Sequence, residues 1–150
     1  MFNERPDRDE SPGANVADRA PAAIACRGVR GAITVDSQPS AAALEAAVGG
    51  MLKLMLDQNR ILIEDIAALV FTLQPDLGDV NPAAAARACG FDRVPLLMVR
   101  EHGGDTRLPH CIRALMLVNS RLSQQQIQHA YLGGAQQLRP DLVAERSERS

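Results

Sequence analysis

The sequence predicts an α+β domain, a mixed β-sheet with helices on one face, and three observations lead there. A chain of 150 residues, 46% of them hydrophobic, suits one compact domain, which at this length hides roughly 68–70% of its unfolded surface. Short apolar runs of strand length alternate with segments whose apolar residues recur at spacings of three and four. Strands and helices follow one another without any long repeat.

Arg27 to Val35 alternates Val29, Ile33 and Val35 with smaller or polar residues and holds two glycines, as an edge or site-lining strand does. Ser37 to Ser40, with Pro39, is a helix-start signal. Leu44, Val48, Met51, Leu52, Met55 and Leu56 then form the core stripe of an amphipathic helix, mildly interrupted by Gly49-Gly50 and ending near Asp57-Gln58-Asn59. Ile66 to Leu73 is a buried strand closed by Pro75-Asp76. Asn81 caps a short helix over Ala83 to Cys89, with Pro82 suited to its first turn and Gly90 at its end; Arg87 projects from it. Val94 to Glu101 reads as a third strand, His102 to Pro109 as a loop around Gly103-Gly104-Asp105, and Cys111 to Asn119 as a fourth strand. Ser123 is expected to cap a short helix through Gln128, and Tyr131 to Leu138 to return as a last strand.

Composition excludes several classes. The formal net charge is −2, and the aromatic set is Tyr131, Phe2, Phe71 and Phe91. A nucleic-acid-binding module would show a basic face or a stacking platform instead. No run reaches the roughly 18 apolar residues of a membrane helix. Residues 1–25 are charged and then rich in Ser, Pro, Gly and Ala. They read as a disordered extension without a signal pattern, which points to the cytoplasm. Residues 26–142 form the domain and 143–150 a flexible C-terminal tail. Cys26, Cys89 and Cys111 fit neither zinc spacing nor a redox pair, and His102, His110 and His129 lack ligand spacing. Reduced structural thiols, no metal and no cofactor are therefore expected.

Fifteen of the sixteen basic residues are arginine, Lys53 being the exception. Arg30 and Arg113 stand inside strands that otherwise read as core. A guanidinium taken out of water needs an anion, because desolvating an ion costs several kcal/mol. Two readings stay open: an internal ion pair with Glu101 or an aspartate, or a pocket for an anionic ligand oriented by Glu101 and Tyr131. The sequence has no nucleophile with a base, no phosphate loop and no dinucleotide fingerprint. An enzyme built from this inventory works by binding and electrostatic stabilisation.

Arg27-Gly28-Val29-Arg30-Gly31-Ala32, Pro75-Asp76-Leu77, Pro82-Ala83 with Arg87, Val94-Pro95, Glu101, Cys111-Ile112-Arg113, His129-Ala130-Tyr131-Leu132 and Leu138-Arg139-Pro140-Asp141-Leu142 occur in this order. Over residues 26–142 the chain resembles the AroH-type monofunctional chorismate mutases. The resemblance implies a homotrimeric pseudo-α/β-barrel with active sites in clefts between subunits. It also implies the Claisen rearrangement of chorismate to prephenate, in the shikimate pathway towards phenylalanine and tyrosine. Arg113 would meet the ether oxygen where negative charge grows. Arg30 would hold the side-chain carboxylate with the Tyr131 hydroxyl, and Glu101 would accept from the ring hydroxyl. Arg87 would act from the neighbouring subunit, and Leu97, Met98, Val99 and Arg100 would line the substrate. Asn81, Ala84 and Met98 depart from the family's usual aromatic, lysine and small polar residue. Two alternatives are a trimeric carboxylate-binding module that has lost turnover, supported by those departures, and an enamine/imine deaminase-like enzyme on a similar trimer.

Overall fold

In the computed structural model, which describes residues 22–102 and 108–141, the first strand, β1 (Ala25–Thr34), runs antiparallel to β4 (Cys111–Ser120) over ten residue pairs from Ala25↔Ser120 to Thr34↔Cys111. β4 pairs on its other side, antiparallel, with β2 (Ile66–Leu73), and β2 pairs in parallel with β3 (Leu96–Arg100). The short β5 (Ala130–Leu132) lies parallel to β1. The sheet order is β3-β2-β4-β1-β5, and the sheet is mixed, as expected.

Two helices cover one face. α1 (Ala41–Asn59) starts where Ser40 accepts the Ala43 N–H at its hydroxyl, 3.1 Å away. It stops where Arg60 turns left-handed (φ 52°) and the Ile61 N–H donates back to Leu56 O at 3.0 Å. Its buried stripe, Val48, Met51, Leu52 and Met55, lies with Val29, Leu69, Phe71, Ile112 and Met116 in the main core. Burying each such side chain contributes about 1.5–3 kcal/mol. Gly31 lets α1 come this close to β1: a Cβ there would sit 2.6 Å from Met55 Sδ. α2 (Pro82–Ala88) is capped by Asn81, whose side chain accepts the Ala84 N–H at 2.9 Å. It packs on α1 beside Gly49, where a Cβ would meet Cys89 Sγ at 2.7 Å, so Gly49 serves the helix contact, and the Gly49-Gly50 pair does not break α1.

Two expectations fail in the last third. Ser123 to Gln128 forms turns and no helix. Its polar groups bond to distant elements: Gln124 Oε1 accepts the Gly28 N–H at 2.9 Å and its Nε2 donates to Gly28 O, while the Gln128 N–H donates to Asn59 Oδ1 at 2.7 Å. These long-range bonds replace the i→i−4 ladder. The expected strand Tyr131 to Leu138 is strand only to Leu132, and Gly133–Leu138 coils into a 3₁₀ segment. Gly133 (φ 57°) makes the break, and the Gly134 N–H then donates to Thr34 Oγ1 at 2.9 Å. Ile63–Asp65 and Pro75–Leu77 are short 3₁₀ turns. β1 begins at Ala25, inside the segment read as an extension, and the Arg121 guanidinium donates to Ala22 O. The other expectations for the N-terminal segment, for the loop centre Gly103-Gly104-Asp105 and for the tail 143–150 lie outside the described residues. Among the described residues no helix is long and apolar enough to cross a membrane.

Candidate active site

Alternation along each strand sends every second side chain away from α1. Gly31 meets α1, so Arg30 and Ala32 point to the opposite, open face. Register carries that face across the sheet. One row takes a residue from every strand: Val99 (β3), Thr72 (β2), Arg113 (β4), Ala32 (β1) and Tyr131 (β5). The neighbouring row holds Leu97, Val70, Leu115 and Arg30.

Arg113 Nη1 donates to Glu101 Oε2, and the pair is half-buried. The Glu101 main chain extends the β2–β3 pairing one residue past β3, its N–H donating to Leu73 O at 2.7 Å. The Thr72 hydroxyl donates to the other carboxylate oxygen, Oε1. An ion pair between Arg113 and Glu101 is thus present, the first of the two readings left open by the sequence. It does not exclude an anionic ligand, because a guanidinium carries five N–H donors in a fixed fork and serves anions on more than one edge.

The other expected residues divide by face. Arg30 is exposed on the open side, and its N–H donates to His129 Nδ1 at 3.0 Å. Burial, reinforced by the positive charges of Arg30 and Arg139, pushes the His129 pKa below its usual value, which keeps Nδ1 an acceptor. Tyr131 is 3% exposed, packed with Ala32, Cys111 and Ala135. Its hydroxyl is buried and finds no hydrogen-bond partner among the described residues. Cys111 shares this small cluster. Burial pushes its thiol up to about 11, opposed in part by Arg113 and aided by Glu101 and Asp76, so it stays protonated and inert. Leu97 and Val99 lie on the open face. Met98 and Arg100 alternate to the other side; together with Val99, Leu73, Gly78, Asp79, Val80 and Asn81 they line a cavity of about 320 Å³. Arg87 is exposed on α2, in the helical layer, and the structure does not bring it to the Arg113 row of the same protomer.

Thr72 escaped the sequence reading. A lone hydroxyl inside Ile66–Leu73, an otherwise apolar run, was the available signal. Other motif residues have structural work: Arg27 Nε donates to Leu122 O at 2.7 Å, Asp76 Oδ2 accepts the His110 N–H at 2.9 Å, and Arg139 forks onto Asp141. Among the described residues no group of three or more His, Cys, Asp or Glu could hold a metal ion.

The chain that carries this row is similar to known proteins over most of its length. The family model for chorismate mutase type I matches residues 26–142. A chorismate mutase AroH of Thermus thermophilus is 44% identical over 117 residues, 77% of this chain and 95% of the relative. That of Bacillus subtilis is 35% identical over 117 residues, covering 77% and 91%. The solved structure of a chorismate mutase from Clostridium thermocellum superposes with a TM-score of 0.67 at 36% identity, covering 73% of this chain and 96% of that one.

Proposed function

The chain belongs to the type I chorismate mutases and is an isomerase that converts chorismate to prephenate, and from that premise we propose how its own residues do so. Chorismate carries two carboxylates, and in the rearrangement its ether C–O bond breaks ahead of full C–C bond formation. Negative charge grows on the ether oxygen, and no proton is transferred. What the reaction asks of a protein is a held conformer and a cation at that oxygen. Arg113, seated in mid-sheet and oriented by Glu101, is the observation that carries the reading. Its guanidinium meets the ether oxygen, and Glu101 accepts from the ring hydroxyl. Arg30 and the buried Tyr131 hydroxyl hold the side-chain carboxylate. Leu97 and Val99 form an apolar wall, and the backbone of Leu97–Arg100 runs along the substrate. Met98 and Arg100 contribute less, since alternation along β3 turns them from the face that Leu97 and Val99 share. Membership of this family favours the mutase over a turnover-free binding module or a deaminase-like enzyme.

The open face supports an oligomer. Leu97 is 58%, Val99 41% and Leu115 40% exposed, in adjoining rows of the sheet. A contiguous apolar sheet face suits burial against further copies of the chain. We propose a homotrimer that closes three such faces together, with each cleft completed by Arg87 from a neighbour. Residues 26–142 form the catalytic domain, with the terminal segments outside the chemistry. Three free cysteines suit a reducing cytoplasm.

The test has two parts. Purified protein should consume chorismate with saturation and release prephenate; a rate no higher than background would remove this reading of the site. Arg87→Ala and Arg113→Ala, each impaired alone, should recover part of the activity when co-refolded, because mixed trimers rebuild some intact clefts. No recovery would place Arg87 outside the neighbour's site.

A further inference from the structure

We propose that Thr72 is a positioning residue for Glu101, acting through its hydroxyl to fix the plane of the carboxylate that meets the substrate; this rests on the role given to Glu101 above. Glu101 follows the last residue of β3, an edge strand. Its backbone is tied down by the bond to Leu73 O, but three side-chain torsions separate that anchor from the carboxylate. Arg113 holds Oε2. One contact on one oxygen leaves rotation about the terminal torsion, which is broad for a glutamate. Thr72 Oγ1, 2.5 Å from Oε1, removes that freedom by holding the second oxygen.

Thr72 suits this task. It lies in β2, paired on one side with Val99, two residues before Glu101, and on the other with Arg113, so it stands between the strand that leads to Glu101 and the guanidinium that holds it. It is β-branched and stiff at χ1, so its hydroxyl sits where the sheet puts it. Its hydroxyl can donate to a carboxylate oxygen, which only accepts. A valine would fill the same volume in the Ile66–Leu73 run and leave Oε1 without this donor.

Thr72→Val is therefore expected to lower kcat by about 10- to 100-fold, as a misplaced catalytic group does, with KM and the thermal midpoint near those of the parent. Thr72→Ser, which keeps the donor, restores most of kcat. In a Glu101→Gln background, Thr72→Val adds little further loss, since the two residues act as one unit. Parent-like kcat in Thr72→Val beside an impaired Glu101→Gln would overturn the Thr72 proposal and leave the site reading intact. Equal losses from Thr72→Val in both backgrounds, or failure of serine to rescue, would also overturn it. Parent-like activity in Glu101→Gln would instead bring down the role of Glu101 and this proposal with it.

Discussion

On one side of the sheet stand Val29, Gly31, Phe71, Ile112, Ala114 and Met116, sealed under α1; on the other, from the same strands, stand Arg30, Thr72, Arg113 and Leu115. Neighbouring residues such as Gly31 and Arg30 thus belong to different environments. On the sealed side the sequence is shaped by volume, to the point that a Cβ at Gly31 would press to 2.6 Å from Met55 Sδ. On the open side it is shaped by charge and by what meets it from outside the protomer. Stability and chemistry are separated by one residue of strand register, so a substitution on either side should move one property and spare the other.

The largest effect tests the open side. Arg113→Ala should lower kcat/KM by about 10²–10³ or more, the usual loss for one preorganised donor at developing charge. Arg113→Lys should lose nearly as much, because a point charge cannot reproduce the fork. Circular dichroism should show the sheet retained in both; near-normal turnover in either would contradict the separation. On the sealed side, Gly31→Ala should cost about 1–3 kcal/mol in urea unfolding, as overpacking does. The lower end is expected, since the thioethers of Met51 and Met55 can swing aside. Turnover per folded molecule should change far less than with Arg113→Ala.

The smallest effect lies where the two sides meet, at His129. The fold holds it neutral, with a pKa below its usual value, so the unfolded chain takes up a proton first as pH falls. The stability that His129 contributes is present above the ordinary histidine pKa and is lost as pH drops through the folded value. The urea midpoint should therefore decline as pH falls below the ordinary histidine value of 6.5, and His129→Gln should flatten that decline. An unchanged slope in the variant would assign the pH dependence elsewhere.

What could be read from the residues followed the range of the forces involved. Ile66–Leu73 is a strand from end to end as expected, the helix-start signal over Ser37–Ser40 precedes α1, and the cap at Asn81 forms as anticipated, because apolar alternation and capping are decided within a few residues. Ser123–Gln128 carries local helix signals, yet Gln124 and Gln128 are captured by Gly28 and Asn59, far away in sequence. The strand expected over Tyr131–Leu138 ends at Gly133 against Thr34, a contact that no short window contains. The arginines could be picked out because a charge inside an apolar run is anomalous wherever it occurs. Which face each residue shares was hidden: Thr72 joins Arg113 and Glu101 only through the order β3-β2-β4. Met98, next in sequence to Leu97 and Val99, falls on the opposite side by strand alternation alone.

The central place of β4 bears on how the protein is born. Ala25 pairs with Ser120, and β2 reaches β1 only across β4. During synthesis β1, α1, β2 and β3 leave the ribosome before the strand that joins them exists. Until then β1 has no neighbour on either flank, since β5 comes later still. Such non-local pairing slows folding, because long loops must close before any contact rewards it. Translation must pass Ser120 before one sheet can form, and the strand that completes it is the one that delivers Arg113. A chain cut short of β4 therefore lacks fold and catalysis together, and no half-folded product with a working cleft can accumulate.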